Sequence, residues 1–289
     1  MRARPATLDD VPAILALQRR WDTHWFGAPE NDESEVRQSL NRVEPLAGHS
    51  LLLLDDAGEL VGASWWWSGD TRLIVDPAHA GDPASLDVLL PWLRAGGVRA
   101  LESLATDQVQ ESALVRHGWR YEMSAYELIR QVTPDWVLAA PDWPDGVRTS
   151  DLRPDDAPDV HDLIYRRAGW ASVPGHSERD LAEWQGLFLD DEAPLDQQVL
   201  AWDGETLVGA ALGHTFSDGA GWVSQLAVAQ DQRGRGLGRA LLLESLHRRV
   251  STGATALGLS VSALNPDALR LYLEVGLVVD REWRTYLPT

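Results

Sequence analysis

"QLAVAQDQRGRGLGRALLLESLHRR", residues 225–249, is the stretch that decides the fold of this chain. An apolar run is followed by a short loop of glycines and arginines and then by a leucine-rich pattern. The apolar residues predict a strand over 222–228, and leucines at three- and four-residue steps predict a helix over 239–250. The loop "RGRGLG" (233–238) therefore connects a strand to a helix.

Glycines in such a loop have two physical uses: they adopt positive φ, and they let another molecule approach the backbone closely. A strand-to-helix loop also turns successive N–H groups toward one point, beside the positive end of the helix dipole. This arrangement favours an anion, phosphate or pyrophosphate above all. The loop lacks the Gly-Lys-Ser/Thr ending of a Walker loop and is shorter than the dinucleotide fingerprint. The alternative is a flexible turn whose arginines face solvent.

Composition sets the bounds of the interpretation. The 289 residues are enough for two ordinary domains, and 44% of them are hydrophobic. No apolar run approaches the 18 or so residues of a membrane span, and the chain begins without the apolar region of a secretory signal, so we expect a cytoplasmic protein. The chain has no cysteine, which excludes disulfides, a thiolate nucleophile and a Cys-ligated zinc; we predict no metal site.

The net charge of −19 argues against nucleic acid as a partner, since phosphates require a basic surface. It is compatible with a cationic ligand, although acidic surfaces also serve solubility.

Internal echoes predict a tandem duplication. "LDDVPAILAL" near the start resembles "PDDAPDVHDLI" in the middle, and each has the form of a helix opening. The segments 55–63 and 202–210 match as hairpins. Two further pairs, 72–77 with 225–230 and 113–119 with 270–277, follow in the same order.

The proline-containing stretch over 132–148 suits a connector. We therefore predict a first domain over 1–138, a linker over 139–147 and a second domain over 148–289. The fold class expected is α/β of the mixed α+β kind: each domain has a mixed, mostly antiparallel sheet flanked by helices.

The loop resembles the acyl-CoA binding motif of the GNAT superfamily of N-acyltransferases, Arg/Gln-x-x-Gly-x-Gly/Ala, through Arg233, Gly236 and Gly238. A downstream "NPDALRLYLEVGL" is similar to the second motif of that family. The duplicated layout resembles tandem GNAT proteins of the mycothiol synthase type. The resemblance implies two tandem GNAT-like domains and acetyl-CoA as co-substrate.

The resemblance also implies a binding site for coenzyme A. Loop amides would bind the pyrophosphate, and the backbone of the preceding strand would pair with the pantetheine arm, which requires the sheet to splay open there. The residues expected to contact the cofactor are Leu226, Ala227, Val228, Arg233, Gly234, Arg235, Gly236, Leu237, Gly238, Arg239 and Asn265. Arg233 and Arg235 are expected to add charge-assisted contacts to phosphate.

Tyr272 is the candidate catalytic residue, since a tyrosine at this position in GNAT enzymes protonates the departing thiolate. An ordinary phenol, with a pKa near 10, stays protonated at neutral pH and suits this role. The alternative for Tyr272 is a core residue on an apolar helical face. Asn265 followed by Pro266 predicts a helix start, with a cap by Asn265 in any case.

The first half lacks these features. When the first half is aligned on the loop of the second, the positions of Arg233, Arg235, Gly236 and Gly238 are occupied by Ala80, Asp82, Pro83 and Ser85. Leu114 stands at the position of Tyr272. A carboxylate there repels pyrophosphate, and a proline lacks an N–H donor. We interpret the first domain as a degenerate copy with a structural or substrate-shaping role.

The general base is left open. Many relatives place a glutamate on the strand before the loop, and "GWVSQLAV" has none. The alternatives are a water held by Ser224 and Gln225, the imidazole of His214, and Asp218 in the following turn. For the acceptor site, Trp170, Pro174, His176 and Trp184 are expected either to form a wall or simply to pack locally.

The function predicted is transfer of an acetyl group from acetyl-CoA to a primary amine, on a small molecule or a peptide, in the second domain. The transfer is direct, without a covalent enzyme intermediate, in agreement with the absence of cysteine. The alternative is a non-catalytic protein of the same fold that binds acyl-CoA or regulates.

Overall fold

The computed structural model forms two compact units. It describes residues 1–67, 70–79, 82–172, 178–189, 194–216 and 219–289. The first unit comprises Met1–Ala125 with Glu282–Thr289, and the second comprises Tyr126–Arg281. This division differs from the contiguous domains predicted from the sequence, 1–138 and 148–289, and it assigns the predicted linker 139–147 to the second unit.

Two long strands account for the difference. Strand β6 (Trp119–Gln131) begins in the first unit and ends in the second, whereas β12 (Val278–Pro288) begins in the second and ends in the first. The last part of β12, Trp283–Tyr286, pairs antiparallel with β5 (Leu101–Leu104) of the first unit. Sequence repeats locate elements along the chain, but they do not reveal which distant strand completes a sheet.

In the first unit, β1 to β4 form an antiparallel sheet in that order, with helices packed against it. The remaining elements of the first unit, with those named above, are β1 (Arg2–Arg4), β2 (Ser50–Leu54), β3 (Leu60–Trp67), β4 (Asp70–Val75), α1 (Val11–Phe26), α2 (Glu33–Asn41), α3 (Leu46–His49), α4 (Ala84–Ala95) and α5 (Gln108–Arg116).

In the second unit, β7 to β10 are antiparallel neighbours and β10 pairs in parallel with β11. The elements are β7 (Val147–Ser150), β8 (Val199–Asp203), β9 (Thr206–Thr215), β10 (Ala220–Val228), β11 (Ala256–Ser262), α6 (Ala157–Asp162), a π-helical turn (Leu163–Arg167), α7 (Leu181–Phe188), α8 (Leu237–Ser251) and α9 (Pro266–Val275). Helix α8 is the crossover between the two parallel strands, as such a pair requires.

Two apolar clusters cover the sheet of the second unit. One joins α6, the π-helical turn and α7 to β8, β9 and β10. The other joins α8 and α9 to β10 and β11. The predicted class, mixed α/β with sheets flanked by helices, is therefore confirmed.

Most predicted elements are present with shifted ends. The hairpins over 55–63 and 202–210 are β2–β3 and β8–β9. Helix α8 begins at Leu237, two residues before the predicted start at 239. The sequence analysis missed β1 and β7, which are three and four residues long and too short for an alternation pattern to show. No helix in the described part of the chain is long and apolar enough to cross a bilayer.

The C-terminal segment should be required for the first unit to fold. Tyr286 is 4% exposed within the core of that unit, and Arg284 makes two 3.0 Å hydrogen bonds to the Glu111 carboxylate. We expect Tyr286→Ala to lower the free energy of unfolding by about 3 kcal/mol, as for other large aromatic truncations in cores. Deleting 282–289 should abolish hydrogen-exchange protection of β5. A truncated chain whose β5 amides stay protected would contradict the strand assignment, and Val137→Ala, at an exposed position, is the control.

Candidate functional site

The site is built on a fork between β10 and β11. The two strands pair in parallel from Ala220 and Ala256 as far as Val223 and Leu259, and no pairing between them follows among the described residues. Both strands continue, β10 to Val228 and β11 to Ser262. The edge of β10 that faces β11 therefore presents backbone N–H and C=O groups without ladder partners, which is the opening that a paired acyl arm requires.

A β-bulge lies at the apex of this fork. On the β9 side of β10, Val223 is opposite Gly213, and the next pair is Gln225 with Leu212, so Ser224 is the extra residue. A bulge bends its strand and increases the local twist. The change of direction at Ser224 coincides with the end of pairing to β11, and it explains why β10 separates from β11 there.

The N-terminus of α8 is open to an anion. Gly234 and Gly236 have φ of 78° and 88°, and Gly236 is the N-cap, with no side chain capping the helix. The first intrahelical bond runs from the amide of Ala240 to the carbonyl of Gly236, which leaves the amides of 237–239 without intrahelical partners. The first turn carries no acidic residue. These free donors and the helix dipole together favour a negatively charged ligand.

The loop arginines already have protein partners. Arg233 donates to the carbonyl of Ala168 at 2.7 Å, which ties the loop to the end of the π-helical turn. Arg235 lies 2.9 Å from the Asp203 carboxylate, and Arg239 lies 3.5 Å from a carboxylate on α9. The ion pairs of Arg235 and Arg239 are partly exposed, so breaking them to bind a phosphate instead costs little free energy.

A pocket of about 250 Å³ adjoins the loop within the second unit. One wall is the connector before β7 and the other is the first turns of α8. The lining residues are Ala139, Ala140, Asp142, Trp143, Pro144, Arg235, Gly236, Arg239, Ala240 and Leu243.

Several residues that were predicted to contact the cofactor have only their backbone available for a ligand, because their side chains pack in the core. The side chains of Ala227 and Leu237 are buried in the apolar core, and those of Leu226 and Val228 pack against it. Gly238 lies where strand and helices meet: a Cβ built on it would be 3.8 Å from the side chains of both Val228 and Leu271.

Helix α9 holds Tyr272 and Asn265. Asn265 accepts a 3.2 Å hydrogen bond from the amide of Ala268, which shows that it caps this helix. Tyr272 is 7% exposed and belongs to the same apolar cluster as Val223 and Leu259, the last paired residues of the fork. Burial raises the pKa of Tyr272 to about 12, and its hydroxyl makes no hydrogen bond to a described residue.

The candidates for a base lie on β9 and β10. The Ser224 hydroxyl is 3.1 Å from Nδ1 of His214, so the structure brings together two residues that are ten apart in the chain. Burial, and then the charge of Arg249, lower the pKa of His214. Gln225 accepts a 3.0 Å hydrogen bond from the indole of Trp184, which is fully buried. Trp184 is therefore a packing residue.

Three other candidates, Pro174, His176 and Asp218, lie outside the described residues. The bulge that brings Ser224 beside His214 has no signal in the sequence, because neither glycine nor proline marks it.

The equivalent loop of the first unit differs from the loop over 233–238 at its junction with the following helix. Asp82 accepts a 3.0 Å hydrogen bond from the amide of Ala84, at the start of α4, and Pro83 precedes that residue. A carboxylate of the chain thus occupies a helix N-terminus that is free in α8. Leu114, at the position equivalent to Tyr272, is fully buried. Ala80 lies outside the described residues.

Residues 159–277 match the model of the acetyltransferase (GNAT) family. The chain contains a region of the GNAT acetyltransferase type. It is similar to a mycothiol acetyltransferase of Geodermatophilus obscurus, 26% identical, with 95% of this chain and 94% of the relative covered. The mycothiol acetyltransferase of Thermobispora bispora is 27% identical, with 93% of each chain covered. These relatives support an enzyme over the non-catalytic alternative.

Solved structures show the same fold along almost the whole chain. A GCN5-related N-acetyltransferase from Sphaerobacter thermophilus has a TM-score of 0.82 at 20% identity, covering 99% of this chain and 94% of the other. A tandem GNAT protein from the clavulanic acid biosynthesis pathway has a TM-score of 0.74 at 14% identity, covering 99% and 97%. The tandem GNAT layout predicted from the echoes is thereby confirmed.

Substitutions of two loop glycines should have opposite effects on stability. Gly236→Ala places a side chain at φ 88° and should cost about 1–2 kcal/mol, because L-residues disfavour this region. Gly238→Ala lies within α8, where a Cβ meets only ordinary van der Waals neighbours, and should stabilise by about 0.5 kcal/mol. Denaturant unfolding of both variants measures the difference. Equal midpoints for the two would contradict the loop geometry.

Proposed function

We propose that the enzyme transfers an acetyl group from acetyl-CoA to a primary amine by direct attack, within the second unit. The observation that carries this proposal is the junction of two unsatisfied backbone surfaces. The free amides at the start of α8 meet the unpaired edge of β10, which ends at Val228. A ligand with an anionic end and an extended, amide-containing arm satisfies both surfaces at once.

The residues fit such a ligand. The amides of 233–238 would bind pyrophosphate, and the backbone of Leu226–Val228 would hydrogen-bond the pantetheine arm as a further strand does. The pocket beside the loop carries Trp143 with Arg235 and Arg239, which suits an adenine ring and its phosphates. Acetyl-CoA supplies the activated acyl group. Asn265 is near the end of β11, and its role in holding the ligand is additional to its cap.

Tyr272 is proposed as the acid that gives a proton to the leaving sulfur. A pKa of about 12 keeps the phenol protonated at every physiological pH. A hydroxyl without a hydrogen-bond partner among the described residues is free to donate. Its membership of the cluster at the apex of the fork supports a position near the reacting end of the arm.

The first unit is proposed as a degenerate copy with a structural or substrate-shaping role. The Asp82 carboxylate at the start of α4 competes with any anion for the same amides. Leu114 offers no proton. We therefore expect one molecule of coenzyme A per chain.

An acceptor panel tests the proposed function. Release of free thiol from acetyl-CoA would be followed with small amines, aminoglycoside antibiotics, peptide N-termini and lysine peptides. The names of the relatives add a mycothiol-related acceptor to the panel. We expect amine-dependent thiol release with at least one class. Tight binding of coenzyme A without release by any acceptor would instead favour the non-catalytic alternative, to which the missing glutamate on β10 points.

Replacing Gly236 with Asp should weaken coenzyme A binding at least a hundredfold, because a negative charge then stands where pyrophosphate approaches. Gly238→Ala is the matched control, since the family motif accepts alanine at this position, and its affinity should be unchanged. Pro83→Gly in the first unit should also leave affinity unchanged. Calorimetry on the folded variants measures all three. Two cofactors bound per wild-type chain would overturn the degeneracy of the first unit.

Replacing Tyr272 with Phe should lower the single-turnover rate by roughly 10²–10⁴-fold, the usual range for general acid catalysis. The ring and its packing are kept, so thermal stability and coenzyme A affinity should change little. A single-turnover measurement is needed because slow product release would hide a slower chemical step. If the rate survives and stability falls, Tyr272 is a core residue alone.

A further inference from the structure

The pair of Ser224 and His214 lies where the fork closes. Ser224 is the bulged residue of β10, and its hydroxyl is 3.1 Å from Nδ1 of His214 on β9. The bulge removes Ser224 from the ladder with β9 and brings its side chain beside the imidazole. Gln225, the next residue, is held by Trp184 of α7, so its side chain is anchored on the side of the sheet that carries α6 and α7.

The surroundings of His214 favour a neutral imidazole. The ring of Phe216 stands edge-on to it at 4.4 Å between centroids, and burial lowers the pKa of His214. The charged group acting on it among the described residues is Arg249 of α8, which lies next to Gly213 and lowers the pKa further. On β10, Trp222 and Ser224 face it without charge. A neutral imidazole at neutral pH can accept a proton.

Strand geometry locates the reacting end of the arm. From Val228, next to the loop, back to Gln225, the free edge of β10 spans four residues, or roughly 13 Å at ~3.3 Å per residue. An arm that begins at the loop amides and follows this edge ends where β11 closes the gap, at Val223 and Ser224. The Ser224 hydroxyl is therefore the side-chain group of β10 beside the thioester.

We propose that Ser224 removes the proton from the acceptor nitrogen and that His214 receives it through the serine hydroxyl. This inference rests on the proposed function and adds to it the base that the strand lacks as a glutamate. In this scheme the Ser224 hydroxyl contacts the acceptor nitrogen, so Ser224 is the catalytic residue. His214 acts through Ser224 and is a positioning residue that also stores the proton.

Two proton transfers accompany the acetyl transfer in the proposed step. The nitrogen–carbon bond forms and the carbon–sulfur bond breaks, and the sulfur takes the proton of the Tyr272 hydroxyl. The nitrogen gives its proton to Oγ of Ser224 while the serine proton moves to Nδ1 of His214, whose Nε2 already carries one. The products are an amide, a free thiol, an imidazolium and a tyrosinate. Exchange with solvent then removes one proton from His214 and returns one to Tyr272.

Ser224→Ala and His214→Asn test the proposal, with Ser224→Thr as the conservative variant that keeps a hydroxyl. We expect the single-turnover rate to fall about a hundredfold in Ser224→Ala and His214→Asn, and by less than tenfold in Ser224→Thr. The affinity for coenzyme A should be unchanged. Ser260→Ala, at an exposed site on β11, and His247→Gln are the matched controls and should keep the full rate.

The pH profile and a spectroscopic signal separate a proton acceptor from a merely structural residue. Protonation of His214 blocks it as an acceptor, so the wild-type rate should fall in acid, and this limb should disappear in His214→Asn. Because burial and Arg249 lower the pKa of His214, the limb should lie at a lower pH than that of an ordinary imidazole. A limb that belongs to the acceptor amine would remain in both. In the free protein, the ¹⁵N resonance of Nδ1 should shift on Ser224→Ala, as its hydrogen bond is lost.

Two results would overturn the proposal. One is a full rate in Ser224→Ala, and the other is an unchanged acidic limb in His214→Asn. Failure of the proposed function would give a different result, because the wild-type protein itself would then transfer no acetyl group to any amine. If wild-type transfer and the effect of Tyr272→Phe are as expected while Ser224→Ala stays fully active, the serine relay alone is wrong.

Discussion

The separation of β10 from β11 after Val223 and Leu259 is the constraint on which the rest of the site depends. Inside a sheet, backbone donors and acceptors without partners are costly, so a strand with an open inner edge needs another molecule, water or ligand, to satisfy it. The bulge at Ser224 produces the separation, Tyr272 lies in the apolar cluster at its apex, and the start of α8 lies at its open end. One local change in a strand thus arranges groups from four elements.

Electrostatics distinguishes the two copies of the fold more clearly than packing does. The chain carries a net charge of −19, yet the first turn of α8 has no acidic residue and its N-cap is a glycine. In the first unit, Asp82 occupies the corresponding amide at the start of α4. Since a helix N-terminus attracts negative groups, the Asp82 carboxylate takes an amide at the start of α4 whose counterpart in α8 has no side-chain cap.

Local features of the site were predictable, and pairing between distant strands was not. The loop over 233–238, the cap at Asn265 and the hairpins depend on neighbouring residues, so pattern and turn chemistry revealed them. The partners of Arg233 and Arg235, and the contact of Ser224 with His214, depend on tertiary structure. The pairing of β12 with β5 of the first unit was missed for the same reason. A sequence repeat shows that two segments are similar, but it does not show which strand each one pairs with.

The path of β12 also sets an order of events during synthesis. In the first unit, one guanidinium nitrogen of Arg284 donates to both carboxylate oxygens of Glu111, and the two residues are 173 apart in the chain. Residues 1–125 are therefore synthesised well before the β12 residues that pair with β5. Closing so long a loop is slow, and an open sheet edge attracts other chains meanwhile. The first unit is therefore completed only after the residues of the second unit have been synthesised, and β5 stays without its β12 partner for that time.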